Sequence, residues 1–169
     1  MDVETAIRER RTHKQFGHEP VDRATLEELF DLARLAPNHH LTQPWRFRVL
    51  GPATLARLKE AAGPKESAKL DRAPTLVVAS AVLSGDPVQD EEDLHATACA
   101  VYTVLLAATG RGLASYWRTP AALRDPAIRH GLGLAQHERF VALIHLGRRV
   151  SEPPPREREP VSAVVDFLP

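Results

Sequence analysis

The segment Ala36-Pro37-Asn38-His39-His40-Leu41-Thr42-Gln43-Pro44-Trp45-Arg46-Phe47 decides how this 169-residue chain is read. Upstream of it Leu26, Leu29, Phe30 and Ala33 recur at spacings of three and four, the stripe of an amphipathic helix opened by Asp22. Pro37 stops that helix, because its ring removes a backbone donor and clashes with the preceding turn. Downstream, Trp45, Phe47 and Val49 alternate with Arg46 and Arg48, the period-two pattern of a strand with one wet face. The loop between is too polar and too aromatic for a mere connector. A second cue, Arg10-Arg11-Thr12-His13-Lys14-Gln15-Phe16, sets basic and hydroxyl side chains after a short helix. The first cue offers flat apolar surface and amides, and the second offers anion donors. A phosphorylated aromatic cofactor needs both.

Working outward, Asp2 caps a first helix expected to run to about Arg11, with Ile7 facing inward. Gly51-Pro52 opens a third helix that Gly63 follows. Thr75 to Val82 is apolar on both faces, so it reads as an interior strand. The acidic stretch Asp86 to Asp93 reads as a solvated loop, leading into the longest helix, about Leu94 to Thr109. That helix is small and apolar nearly all round, which calls for burial in the core or against a partner. Leu113 to Trp117 and Phe140 to Leu146 read as the third and fourth strands. Pro120 to His130 reads as short helical pieces broken at Pro126. From residue 148 onward, Pro153, Pro154, Pro155 and Pro160 amid alternating charge favour an extended arm over residues 148–169, ending in the apolar Val161 to Leu168. Residues 1–169 are thus expected to form one domain, mixing helices and strands, with connections long enough to allow parallel neighbours.

Composition narrows the functions. A hydrophobic content of 43% with 26% charged residues belongs to an ordinary soluble domain. The formal net charge is zero, so no global field draws nucleic acid or acidic lipid. One cysteine, Cys99, excludes an intrachain disulfide and suits a reducing cytosol. The acidic N-terminus lacks the apolar run of a secretory signal. The most apolar stretch is shorter than the roughly 20 residues a membrane span needs. A cytoplasmic protein is expected.

Several chemistries fail on pattern. Gly110-Arg111-Gly112 and Gly131-Leu132-Gly133 neither follow a strand nor open a helix as a dinucleotide fingerprint must, and no phosphate-cradling Walker loop is present. His39-His40 lacks further ligands at metal spacing, so no metal is expected. Cys99 lies in an apolar helix and reads as core, and Ser84 and Ser115 have no nucleophile elbow around them. No catalytic side chain emerges. Tyr116-Trp117-Arg118-Thr119-Pro120 adds a third cue, an Arg and a Thr beside aromatics at a strand end.

Taken in order, the three cues resemble the FMN-dependent nitroreductase family along nearly the whole chain. Arg10-x-Thr12-x-Lys14-x-Phe16 is similar to its Arg-x-Ser-x-Lys-x-Phe, and Gln43-Pro44-Trp45-Arg46-Phe47 to its Gln-Pro-Trp-x-Phe. The chain is most similar to the minimal YdjA-type members, through Arg10-Arg11-Thr12, Ala36-Pro37-Asn38-His39, Trp117-Arg118-Thr119 and Leu146-Gly147. The resemblance implies an α+β fold with a mainly antiparallel sheet flanked by helices, in a homodimer with the Ala-rich helix at its interface.

It also implies a flavin site. Arg10 and Thr12 would hold the FMN phosphate and ribityl side with Arg11 beside them, and Lys14 would lie near the pyrimidine edge. Leu35 would join the site, and His39 would reach the FMN of the partner subunit. Trp117, Arg118 and Thr119 would complete the pocket, with Ala107 to Gly112 along the approach of NAD(P)H. Leu41 stands where many members carry Asn, which removes one side-chain contact to flavin. Arg156 and Arg158 are set aside as counterparts of the C-terminal phosphate contact of larger relatives. The implied activity passes hydride from NAD(P)H through FMN to an electron-poor acceptor, a nitroaromatic, quinone or activated alkene. An FMN store or sensor without turnover would share the same motifs.

Overall fold

Ten regular elements follow one another in the computed structural model, which describes residues 1–169. They are α1 (Val3–Glu9), α2 (Arg23–Ala33), β1 (Trp45–Val49), α3 (Pro52–Ala62), α4 (Pro64–Leu70), β2 (Thr75–Val82), α5 (Pro87–Gly110), β3 (Leu113–Arg118), α6 (Pro126–Gly131) and β4 (Glu138–Arg148). The four strands form one sheet in the order β1-β2-β4-β3, and every pairing is antiparallel. The expected mainly antiparallel α+β sheet is therefore present, and the parallel neighbours that the connection lengths allow do not occur.

Side-chain alternation on the strands divides the interior into two layers. Val77 and Ala79 of β2, with Ala142, Ile144 and Leu146 of β4, meet Leu26, Leu29 and Ala33 of α2 and Ala100, Val101, Val104 and Ala108 of α5. On the other face Leu76, Val78 and Leu143 meet Leu58 of α3, Leu70 of α4, and Leu132 and Leu134 around the end of α6. β2 is buried from Thr75 through Ala81, as its unbroken apolar run predicts. Phe47 of β1 stacks on Phe30 of α2 with ring centroids 5.0 Å apart, which ties the helix before the opening segment to the strand at its end.

The structure corrects several expectations. Residues 87–93 are helical, because Asp86 accepts from the backbone N–H groups of Val88 and Gln89 and Pro87 occupies the first helical position. The acidic stretch is thus the capped start of α5, with Asp90 in the first turn where a carboxylate complements the helix dipole, and Asp93 is buried. Cys99 is exposed on α5 and does not pack in the core of the chain. Helix α1 ends at Glu9, buries Ala6, and turns Ile7 outward. The break expected at Pro126 is present: a 3-10 turn over Ala121–Arg124 ends before it and Pro126 begins α6, capped by Asp125, which accepts from Ala127 N–H. Helix α4 arises where no element was expected: Gly63, at φ 76°, separates it from α3, and Pro64 starts it.

Arg48 is half-buried and does not lie free in water. Its guanidinium makes a two-pronged contact with Glu138, at 2.6 and 2.8 Å, and Ser80 Oγ donates to the same carboxylate at 2.5 Å. Burial pushes the Glu138 carboxyl up, but the hydrogen bonds from Arg48 and Ser80 outweigh it and hold the group below the usual range. Gly147, within β4, is required by crowding: a Cβ there would lie 2.9 Å from Cδ of Pro74 and 3.2 Å from Cβ of Phe16.

Candidate functional site

The root of the C-terminal arm is tied to the segment that follows α1. Phe16 pairs with Arg149 in an isolated antiparallel bridge, and Gly17 N–H donates to Arg148 C=O at 2.9 Å. His13 N–H donates to Ser115 C=O on β3 at 3.1 Å, which fixes the other end of the same segment. Residues from the 10–14 segment and from 153–158 thereby line one cleft of about 740 Å3, to which Tyr102 of α5 also contributes. Three successive prolines, Pro153 to Pro155, stiffen the arm's part of the lining.

Arg10, Arg11, Thr12 and Lys14 of the second cue all line this cleft. The Arg10 guanidinium lies over the Tyr102 ring, 5.9 Å from its centroid, and its Nε is buried without a hydrogen-bond partner. A buried cationic donor lacking an acceptor fits a phosphate oxygen. Thr12 and Lys14 are exposed in the cleft. Arg11 behaves partly as a helix-end cation: its Nη1 donates to the carbonyls of Arg8 and Arg10 at 2.5 and 3.1 Å. Arg156 and Arg158, set aside on sequence, line the same cleft. Ile7, expected inside, also lines the cleft.

The loop of the opening segment is a second, separate piece. Asn38 Oδ1 accepts from Gln43 N–H at 2.9 Å, and Thr42 Oγ1 donates to the buried Asp93 of α5 at 2.5 Å. His39 Nδ1 lies 2.9 Å from Glu92 Oε2, and its ring stacks on His40 at 3.8 Å. His40, Leu41 and Gln43 adopt φ of 53°, 52° and 47°, left-handed backbone that non-glycine residues rarely hold. Such strain concentrates at functional sites, and no sequence pattern announces it here. Leu41 is 76% and Leu35 67% exposed, so the loop presents apolar side chains outward. His39 and Leu35 do not line the cleft.

The third cue divides across β3. Trp117 packs against the α2–α5 layer, and Thr119 is exposed at the strand end. Arg118 alternates to the other face, where its Nη2 donates to Glu66 of α4 at 2.9 Å. The Lys69 ammonium and Arg118 together hold the Glu66 carboxyl below its ordinary range. The other Arg118 nitrogen, Nη1, is buried without a partner. Near it His145 of β4 is fully buried between Phe16 and Tyr116, both ring nitrogens unpartnered. Burial, reinforced by the positive charges of Arg118 and Arg72, pushes its imidazole down to about 3. His13 is likewise buried, and its imidazole is lowered first by burial and then by Arg149.

No helix of the structure is long and apolar enough to cross a membrane. The sequence model of the Nitroreductase family matches residues 7–148, which contain the Arg10–Lys14 segment, the strained loop and all four strands. A Bacillus subtilis (strain 168) protein with the provisional name NAD(P)H nitroreductase YfhC is 28% identical over 171 residues, covering 92% of this chain and 88% of that protein. A nitroreductase-like family protein from Bacillus cereus superposes with a TM-score of 0.90 at 24% identity, covering 99% of this chain and 96% of that one. A single-residue mutant of the FMN and NADPH-dependent nitroreductase NfnB, from Sphigopyxis sp. strain HMH, superposes with a TM-score of 0.84 at 19% identity, covering 99% of each chain. This chain belongs to the nitroreductase family.

Proposed function

We propose that the chain is a homodimeric, FMN-dependent NAD(P)H oxidoreductase that reduces a small electron-poor acceptor, a nitroaromatic, quinone or activated alkene. The observation that carries this reading is the cleft in which Arg10, Thr12 and Lys14 converge and Arg10 Nε lacks an acceptor. Arg10, with Arg11 and the Thr12 hydroxyl, holds the phosphate and ribityl side by charge-assisted hydrogen bonds. Lys14 sets positive charge beside the pyrimidine edge, where preorganised electrostatics favour negative charge. When bound, FMN supplies the redox chemistry, accepting two electrons and a proton from NAD(P)H and returning them to the acceptor. The protein binds, orients and shields, so no side-chain nucleophile is required.

A second copy of the chain accounts for what one subunit leaves open. His95, Cys99 and Tyr102 form an exposed stripe along α5. Val161, Val164, Phe167 and Leu168 project from the end of the arm with little cover, Phe167 being 95% exposed. In the dimer the loop bearing Leu35, His39 and Leu41 completes the partner's flavin pocket, with Trp117 and Thr119 at its edge. The test is reconstitution with FMN followed by anaerobic addition of NAD(P)H. Rapid bleaching of the flavin absorbance, and turnover with a quinone, are expected. Protein that holds FMN but is not bleached would be a store or sensor. Protein that retains no FMN at all refutes the reading.

A further inference from the structure

Asp93 stands where a carboxylate is costly. It is 3% exposed, in the buried stripe of α5 that Ala96, Thr97, Ala100 and Val101 continue, so core packing fixes its position. No Lys, Arg or His forms an ion pair with it. Its carboxylate is held by one side chain, the Thr42 hydroxyl, which donates to Oδ1 at 2.5 Å across 51 residues of sequence. A buried charge with so little compensation does less for a fold than an apolar residue of its size. The contact calls for a reason outside core packing.

That reason lies in the loop that Thr42 belongs to. The neighbouring Glu92 lies 2.9 Å from His39 Nδ1, which leaves Nε2 as the ring nitrogen open to a ligand. Asn38 Oδ1 closes the loop by accepting from Gln43 N–H at 2.9 Å. Between these tethers His40 and Leu41 hold φ of 53° and 52°, a conformation that persists only where surrounding contacts over-determine it. The subunit's own core gains little from this, since none of residues 38–43 is buried. We infer that Asp93 is a positioning residue for cofactor binding: through Thr42 it sets the loop that carries His39 toward the partner's flavin. The inference rests on the FMN and dimer reading above. It goes beyond that reading by tracing the loop's geometry to a carboxylate buried in its own subunit, outside the phosphate cleft.

The test measures FMN dissociation constants by flavin fluorescence for wild type, Thr42→Val, Thr42→Ser, Asp93→Asn, His39→Ala and the double variant Thr42→Val/His39→Ala. Valine removes the hydroxyl at equal volume, serine keeps it, and asparagine keeps an acceptor without the charge. A charge-assisted hydrogen bond biases a local equilibrium by about tenfold or more, so losing it in Thr42→Val should weaken FMN binding by about threefold to tenfold as the competent loop is depopulated. Asp93→Asn should cost about twofold to threefold, a neutral hydrogen bond being about half as strong. Thr42→Ser should rescue binding to near the wild-type value. In the His39→Ala background the loss from Thr42→Val should shrink below about twofold, because the group being positioned is gone. Asp93→Asn, compared in the same two backgrounds, carries the test where the valine variant fails to fold. Equal losses with and without His39 overturn the inference and leave the FMN reading intact. So does unchanged FMN affinity in Thr42→Val and Asp93→Asn. His39→Ala with unaltered affinity takes the loop out of the flavin site and overturns it as well. Wild type that holds no FMN overturns the cofactor reading itself, and the inference with it.

Discussion

Replacing Arg10 with Ala isolates the phosphate contact, because the structure gives that side chain little else to do. Arg10 ends α1 and makes no ion pair, and its Nε is already stripped of water without an acceptor. Desolvation of the donor is therefore incurred on folding, and binding adds only the favourable hydrogen bond. A charge-assisted contact of about 1.5–3 kcal/mol predicts a loss of FMN affinity of about tenfold to a hundredfold. The cation–π contact with Tyr102 adds stability of about 0.5–1 kcal/mol to the unliganded fold, so the apo variant should melt only slightly lower. The cofactor effect is larger. At a flavin concentration one hundred times the wild-type Kd, bound FMN stabilises by about 2.7 kcal/mol, and tenfold weaker binding leaves about 1.4. At about 2–4 °C per kcal/mol for a chain of this size, the FMN-induced rise in Tm should shrink by about 3–5 °C. The assay is a pair of melts, with and without FMN, for wild type, Arg10→Ala and Arg10→Lys, the lysine variant falling between. An FMN-induced shift equal in wild type and Arg10→Ala would show that Arg10 is only a solvated helix end.

Three further outcomes follow from the same geometry. If His39 reaches the partner's flavin, His39→Ala should weaken FMN binding several-fold, and FMN should tighten the wild-type dimer by the same factor that dimerisation tightens FMN; sedimentation showing one dimer constant with and without FMN refutes this. His145 has a folded-state value of about 3, below the ordinary 6.5. Between those values the unfolded chain binds the extra proton, so stability present above about pH 6.5 should fall by about 1.4 kcal/mol per unit as pH drops, and His145→Phe should flatten denaturant-derived stability across that window. Leu41→Asn places a residue tolerant of left-handed backbone at φ 52° and should raise Tm by about 2–4 °C; a lower Tm would mean that the exposed Leu41 side chain is itself a stabilising contact.

Periodicity made the frame of this fold readable. The helix stripe of Leu26, Leu29 and Ala33 and the unbroken run of β2 follow from single-element burial, and both appear in the two-layer core. The first turn of α5 was lost because its carboxylates look like a solvated loop until Asp86 and Pro87 are read together as a cap. Arg48 looked wet because alternation says which face a side chain takes, not what covers that face. Glu138 lies ninety residues away in sequence. The cluster of Arg10, Arg11, Thr12 and Lys14 was legible as a local motif. The entry of Arg156 and Arg158 into the same cleft depends on the Phe16–Arg149 bridge, a long-range contact that no local pattern encodes. Arg118 shows the reverse failure: it sits in a recognisable motif, yet strand alternation turns it away from Trp117 toward Glu66.

The left-handed backbone at His40, Leu41 and Gln43 also bears on how sequence variation in this loop should be interpreted. At such positions the main chain filters the alphabet before any ligand does. Val, Ile and Thr are penalised by their branched Cβ, while Gly, Asn and Asp pass. An Asn at position 41 in a relative is therefore ambiguous: the backbone alone would favour it, whether or not its amide meets a flavin. A saturation library at these three positions, scored for folding in the absence of cofactor, separates the two selections. Residues enriched there belong to the turn, and only the remainder enriched under turnover belong to the chemistry.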